Sequence, residues 1–196
     1  MRKTVRRVPA GNGLVARCIL ALAGLFAFTT LLDSQEVQPT EAQVKAAYLY
    51  NFGKFVRWPA DRPAGADSFE ICIFGKDPFG SVLDSTVSDE SIDGKKISVR
   101  RLSGMREAAS CSVLFVSSSE DGRLAPALAA AQRMGLLTVS DMRNFAARGG
   151  AIGLVTDQGK IRFEVNRQAA EQSHLELSSE LLKVATRVMK KPVPGI

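Results

Sequence analysis

Between residues 44 and 58 apolar side chains recur at three- and four-residue spacing: Val44, Ala47, Tyr48, Phe52, Phe55 and Trp58. At about 100° per residue these positions share one side of a helix, with Lys45, Lys54 and Arg57 at its margins or behind it. Thr40, with Gln43 three residues on, has the spacing of a capping box, so the helix is expected to start there and to stop at Pro59. On this pattern most aromatics of AAYLYNFGKFVRWP are core, and only Tyr50 faces away. Asn51 lies inside the apolar arc, where its amide would need partners from a neighbouring loop.

A polar loop from Asp61 to Ser68 precedes a different pattern. FEICIFG (69–75), KISVRRL (96–102), CSVLFVS (111–117) and LLTVSD (136–141) are short apolar runs that read as buried strands. Helical patterns lie between them. Asp77-Pro78 is expected to open a helix through Phe79, Val82 and Leu83, and a serine-rich cap to precede another from about Glu120 to Met134. Asp141 could cap a brief helix through Met142 and Phe145. AIGLVTDQGKIRFEVN (151–166) reads as two strands around the Asp157-Gln158-Gly159 turn. A last helix is expected from Ser178 or Ser179, with Leu181, Leu182, Val184, Ala185 and Val188, ending before Pro192. Strands alternating with helices predict an α/β class: a mostly parallel sheet flanked by helices on both faces, with a C-terminal antiparallel hairpin.

Length and composition, 196 residues of which 45% are hydrophobic, suit one ordinary domain. The N-terminus alters that picture. Arg2, Lys3, Arg6, Arg7 and Arg17 precede an uncharged run from Cys18 to Leu32, the order of a secretory signal's charged and apolar regions. The run is short for a membrane span, although no clean small-residue cleavage site follows, which leaves an uncleaved anchor open. Ala16-Arg17 before Cys18 does not match a lipidation site. Residues 1–33 are thus expected to be a signal peptide and 34–196 a single exported domain. Removing 1–33 leaves 21 basic against 19 acidic residues, a formal charge of +2, so the basic pI belongs mostly to the leader and nucleic-acid binding loses its compositional support.

Two cysteines remain, Cys72 and Cys111, in what should be an oxidising compartment. A disulfide across 39 positions would restrict the unfolded chain by about 4 kcal/mol in the chain-entropy picture. The alternative is two buried thiols packing as small hydrophobes. With one histidine and no C-x-x-C, a structural zinc site is not indicated.

Catalytic motifs fail on context. Gly75-Lys76-Asp77-Pro78-Phe79-Gly80 lacks the terminal Gly-Lys-Ser/Thr of a phosphate loop, and Gly149 to Gly153 precedes a strand instead of opening a helix. Asp77 and Asp141 would sit at the carboxyl ends of strands, where open α/β sheets bind ligands, but each is explained as a helix cap. His174, the sole imidazole, has no nucleophile motif to serve. The pattern favours a binding module over an enzyme.

VKAAYLYNFGKFVRWP (44–59), LTVSDMRNFAARGGAIGLV (137–155), KIRFEVNRQAA (160–170) and LELSSELLKVA (175–185) resemble the recurrent blocks of the YfiR-like family of periplasmic proteins. The resemblance covers nearly all of the chain after residue 33. It implies a periplasmic repressor that binds the sensor domain of an inner-membrane diguanylate cyclase of the YfiN type and lowers cyclic di-GMP, with a tendency to form homodimers. It implies no cofactor, metal ion or catalytic residue. Cys72 and Cys111 match the positions of a family disulfide. A second cysteine pair that some members carry in the region of about Asn144 to Ile152 is absent, so redox switching through that bridge does not transfer. Apolar residues left exposed on the aromatic helix or the hairpin are the expected anchors for the cyclase, with Tyr50, Arg162 and His174 as candidate contacts. Two other readings stay open: a periplasmic small-molecule sensor or carrier with a pocket near Asp77 and Asp141, and an enzyme built around His174.

Overall fold

The computed structural model describes residues 38–59 and 68–189. The leader expected at 1–33, the polar loop at 61–67 and Pro192 lie outside these residues. In chain order the elements are α1 (Glu41–Lys54), β1 (Val56–Arg57), β2 (Ser68–Phe74), α2 (Ser81–Val87), β3 (Ser91–Ile92), β4 (Lys95–Leu102), β5 (Val113–Val116), α3 (Leu124–Arg133), β6 (Leu137–Ser140), β7 (Ile152–Asp157), β8 (Lys160–Asn166), α4 (Arg167–Gln172), β9 (Glu176–Leu177), α5 (Ser179–Val184) and β10 (Arg187–Met189). Short 3-10 helices cover Met105–Ser110 and Ser118–Arg123.

Thr40 caps α1 as its spacing predicts. Its hydroxyl accepts the Gln43 amide, while the Gln43 side chain accepts the Thr40 amide at 2.7 Å. The apolar stripe is rotated from the predicted one by about one residue's turn: Ala46, Leu49, Phe52 and Gly53 are buried, whereas Asn51 is exposed and its amide group donates to the Ala47 carbonyl at 2.9 Å. The cause is close approach. A Cβ at Gly53 would lie 2.6 Å from Ile92 Cδ1 and 2.9 Å from the Phe69 ring, so the helix meets the sheet along its small-residue side. The helix ends at Lys54, because from Phe55 the chain turns into β1, which pairs antiparallel with β9.

Eight strands form the main sheet in the order β10-β8-β7-β6-β5-β2-β4-β3. β2, β4, β5, β6 and β7 run parallel, β3 joins β4 antiparallel, and β7 and β8 form the antiparallel hairpin. Its two-residue loop, Gln158 and Gly159, has φ of 48° and 73°, the positive pair that a type I′ turn requires. Beyond the hairpin, β10 adds parallel to β8, so Val188 belongs to an edge strand and not to a long last helix. α5 is only six residues, capped by Ser178.

Alternation along β2 divides the interior. Phe69, Ile71 and Ile73 face one core with α1, α2 and the α4-to-α5 segment; Cys72 and Phe74 face the other with the 105–110 turn and α3. Cys72 and Cys111 are joined in a disulfide and fully buried in that second core. Tyr48, Phe52 and Phe163 lock α1 onto β8, with Phe52 and Phe163 edge-on at 5.0 Å.

Candidate functional site

The chain runs from β2 by way of α2 to β4 on one side, then returns past β2 to β5 on the other, so the strand order reverses between β2 and β5. In open α/β sheets that reversal, at the carboxyl ends of the strands, is the customary ligand crevice. Here the protein's own side chains fill it. Gly75 has φ of 96°, and a Cβ there would lie 2.5 Å from Ser119 Oγ and 2.7 Å from Glu120 Cγ. The Lys76 amide donates to Ser119 Oγ at 2.9 Å, and buried Glu120 pairs with Arg123 at 2.5 Å.

The two aspartates at strand ends are likewise engaged, and they do not meet. Asp77 Oδ1 accepts the Phe79 amide at 2.7 Å, and its Oδ2 accepts from Arg101 at 3.0 Å. Arg101 also donates to Asp84 and to the Gly80 carbonyl, at 2.7 Å, so it clamps the loop that leads into α2. The hydrogen bond to Asp84 raises the Arg101 pKa, and the same contact lowers that of Asp84. The helix itself starts at Ser81, after Gly80. Asp141 caps no helix; it receives Lys45 Nζ at 2.6 Å, with Glu41 at 2.5 Å on the same amine. Burial opposes the charge on Lys45, yet the two carboxylates outweigh it and hold its pKa above the ordinary value.

A more open surface lies where α1 hands over to β1 and β9. The Phe55 amide closes the helix on the Asn51 and Phe52 carbonyls, and its own carbonyl accepts the Ser178 amide at 2.9 Å, which leaves the ring 40% exposed. Trp58 is half-buried against Phe69, edge-on at 5.6 Å. Phe55, Arg57, Trp58 and Ser178 line a groove of about 330 Å³. A second groove, of about 680 Å³, shares Arg57, Glu176 and Ser178 and continues past His174, Leu175 and Leu182. Two ion pairs lie at its rim, Arg57 with Glu176 at 2.9 Å and Arg167 with Glu171 at 2.7 Å, and Glu180 adds a third carboxylate. Such exposed pairs add little affinity. Leu175, Leu177 and Leu182 interspersed with side chains of both charges are the mixed composition of a protein-contact surface.

His174 occupies this groove for a backbone reason. It follows Ser173, the C-cap of α4, with φ of 57°; its amide donates to the Glu171 carbonyl, and the next amide, Leu175, donates to the Ala170 carbonyl. That is a Schellman ending with histidine where glycine is usual. Tyr50 lies elsewhere: its hydroxyl donates to Glu90 and accepts from Lys54 at 3.1 Å, with the Lys54 amine 4.7 Å from the ring centre. Arg162 is exposed on β8 opposite Val155, alternating with Phe163, which points to α1. The three candidate contacts therefore share no groove. Sequence reasoning passed over Arg57, Glu176 and Ser178, which are brought together only by the two-residue strands β1 and β9.

A sequence model of the YfiR/HmsC-like family matches residues 42–186. No curated protein matches. Among solved structures, the chain resembles a conserved domain protein from Vibrio cholerae, with a TM-score of 0.55 and 13% identity over 76% of this chain and 60% of that one. It also resembles the ABC domain in complex with L-Trp from Streptococcus pneumonia, with a TM-score of 0.50 and 12% identity over the same shares, 76% and 60%. The chain thus spans about 60% of the length of these structures, and at such identities the likeness is one of fold. With most of its length matched, this chain belongs to the YfiR/HmsC-like family.

Proposed function

We propose that this protein is a periplasmic repressor that binds the periplasmic sensor domain of an inner-membrane diguanylate cyclase of the YfiN type and lowers cyclic di-GMP. The YfiR-like family is one of periplasmic regulators of diguanylate cyclases, regulatory rather than catalytic. Family membership across 42–186 carries the reading. Among the described residues, no helix is long and apolar enough to cross a membrane. The exposed Phe55 ring beside these grooves supplies an aromatic anchor of the kind that dominates protein interfaces. Repression then needs no chemistry in this chain: preferential binding to the inactive cyclase shifts its population.

The test is direct binding of the purified protein to that periplasmic domain by calorimetry. Replacing Phe55 by Glu should weaken binding about thirtyfold, the scale of an interfacial hot spot of about 2 kcal/mol, with little change in thermal stability. Undiminished binding would move the contact to another face. Tyr50→Ala, Arg162→Ala and His174→Ala then rank the other three candidates, and light scattering of the free protein measures whether it is a homodimer.

A small-molecule sensor or carrier is the second reading, favoured by the groove beside His174 and by a fold shared with a domain solved with L-Trp. A small molecule that stays with the purified protein, identified by mass spectrometry, would support it; a filled strand-end crevice argues against the usual location.

A further inference from the structure

We propose that the thiol form of this protein binds one thiophilic divalent cation, Zn²⁺ or a close analogue, through Cys72, Cys111 and Glu70. The disulfide and the metal site are then alternative cross-links at one place in the second core.

The donor set is compact. A Glu70 carboxylate oxygen and the two sulfurs lie within 4.8 Å of one another. Glu70 and Cys72 are two apart on β2 and so point to the same side of the sheet, while Cys111 arrives just before the neighbouring strand β5. The two cysteine Cα atoms are 5.9 Å apart. Zinc holds thiolate at about 2.3 Å and carboxylate at about 2.0 to 2.2 Å in a tetrahedron, which places ligand atoms about 3.5 to 3.8 Å from each other.

The surroundings are already those of a metal site. Arg100 and the Ser110 hydroxyl both donate to Glu70 Oε2, at 2.8 and 2.7 Å, and orient the carboxylate as outer partners of metal ligands do. Two thiolates, one carboxylate and a divalent cation sum to one negative charge. The Arg100 guanidinium on the same carboxylate cancels it, which matters where both cysteines are fully buried. Ser110 is exposed and the Glu70 side chain is 14% exposed, so this corner gives the ion its entry and leaves a fourth position for water.

Both sulfurs reach the thiol form without any cofactor in a newly made chain. In a folded chain a dithiol reductant gives two electrons, its own two sulfurs joining as the Cys72–Cys111 bond breaks, with both protons passing to the cysteines. Metal binding then displaces those two protons. In an oxidising compartment the disulfide wins; where a dithiol reductant has broken that bond, zinc traps the two thiolates and the metal form holds the same two strands together.

The test is titration of the reduced full-length protein, carrying Cys18→Ser so that only Cys72 and Cys111 offer thiols, with Co²⁺, whose absorption reports thiolate ligation and tetrahedral geometry. One equivalent should produce a thiolate-to-cobalt band, and Zn²⁺ should displace it. Oxidised protein should give none, and Cys72→Ser should abolish it. Glu70→Gln should weaken binding 10- to 100-fold, as should Ser110→Ala by a smaller factor within that range. Circular dichroism of each reduced sample establishes that it is folded. A folded reduced protein without the band, or one whose affinity is the same in Glu70→Gln and Ser110→Ala, would overturn the assignment.

Discussion

His174 illustrates how a single residue can serve backbone and surface at once. Its left-handed conformation ends α4, a conformation that costs a side-chain-bearing residue about 1 to 2 kcal/mol relative to the right-handed one. His174→Gly should therefore raise stability to chemical denaturation by about 0.5 to 1 kcal/mol. If the imidazole also touches the cyclase, the same variant weakens binding while the fold gains, which separates the two roles. Gly150 is the opposite case: a Cβ there would sit 2.0 Å from the buried Phe145 ring, so Gly150→Ala should lower stability by about 1 to 3 kcal/mol or more, measured as a fall in the urea midpoint. Cys72→Ser should cost about 2 to 4 kcal/mol at the melting transition, because the 39-residue loop is freed in the unfolded chain. Titration also has a sign at this scale. Arg101 keeps the folded Asp84 pKa below its unfolded value of 3.8, so this contribution is present above that pH and is lost as pH falls through the folded value. Asp84→Asn should flatten the acid limb of the stability curve below about pH 4, and an unchanged limb would remove the Arg101 clamp from the acid response. Lys45 behaves in reverse: its folded pKa is raised above 10.5, so its contribution is complete below that pH and fades as pH climbs through the folded value.

Elements were legible in proportion to how locally they are determined. The cap of α1, the strands β2 and β4 to β6, and the Gln158-Gly159 hairpin each follow from side chains within a few residues. The phase of α1 does not. Its aromatics suggest one apolar arc, but the helix is flanked by strands, α2 and the aromatic side chains themselves, so burial is decided by which side can approach closest, the side of Ala46 and Gly53. Asp141 was expected to cap a helix, yet the buried Ser140 hydroxyl takes the Met142 amide at 3.0 Å and donates to the Val116 carbonyl at 2.6 Å, leaving Asp141 for Lys45. The last helix stops early because the Thr186 amide donates to the Phe163 carbonyl at 2.9 Å and leads the chain into β10, where β-branched Val188 suits a strand. Val184 and Val188, both expected in that helix, are 67% and 36% exposed, the first at the end of α5 and the second in β10. β1 and β9, at two residues each, carry no periodicity that a sequence can display, which is why the groove they build was not foreseen.

At the scale of the whole molecule, the strand order reverses at a crevice that the chain closes with Ser119 and Glu120, while an aromatic ring and two grooves stay open at the α1, β1 and β9 junction. The most direct measurement is cellular cyclic di-GMP in a strain lacking this protein, compared with the same strain supplied with the exported protein or with a form lacking residues 1–33. Repression in the periplasm predicts a rise on deletion that only the exported form reverses. An unchanged level while the protein is expressed in the parent strain, or reversal by the form without residues 1–33, would contradict it.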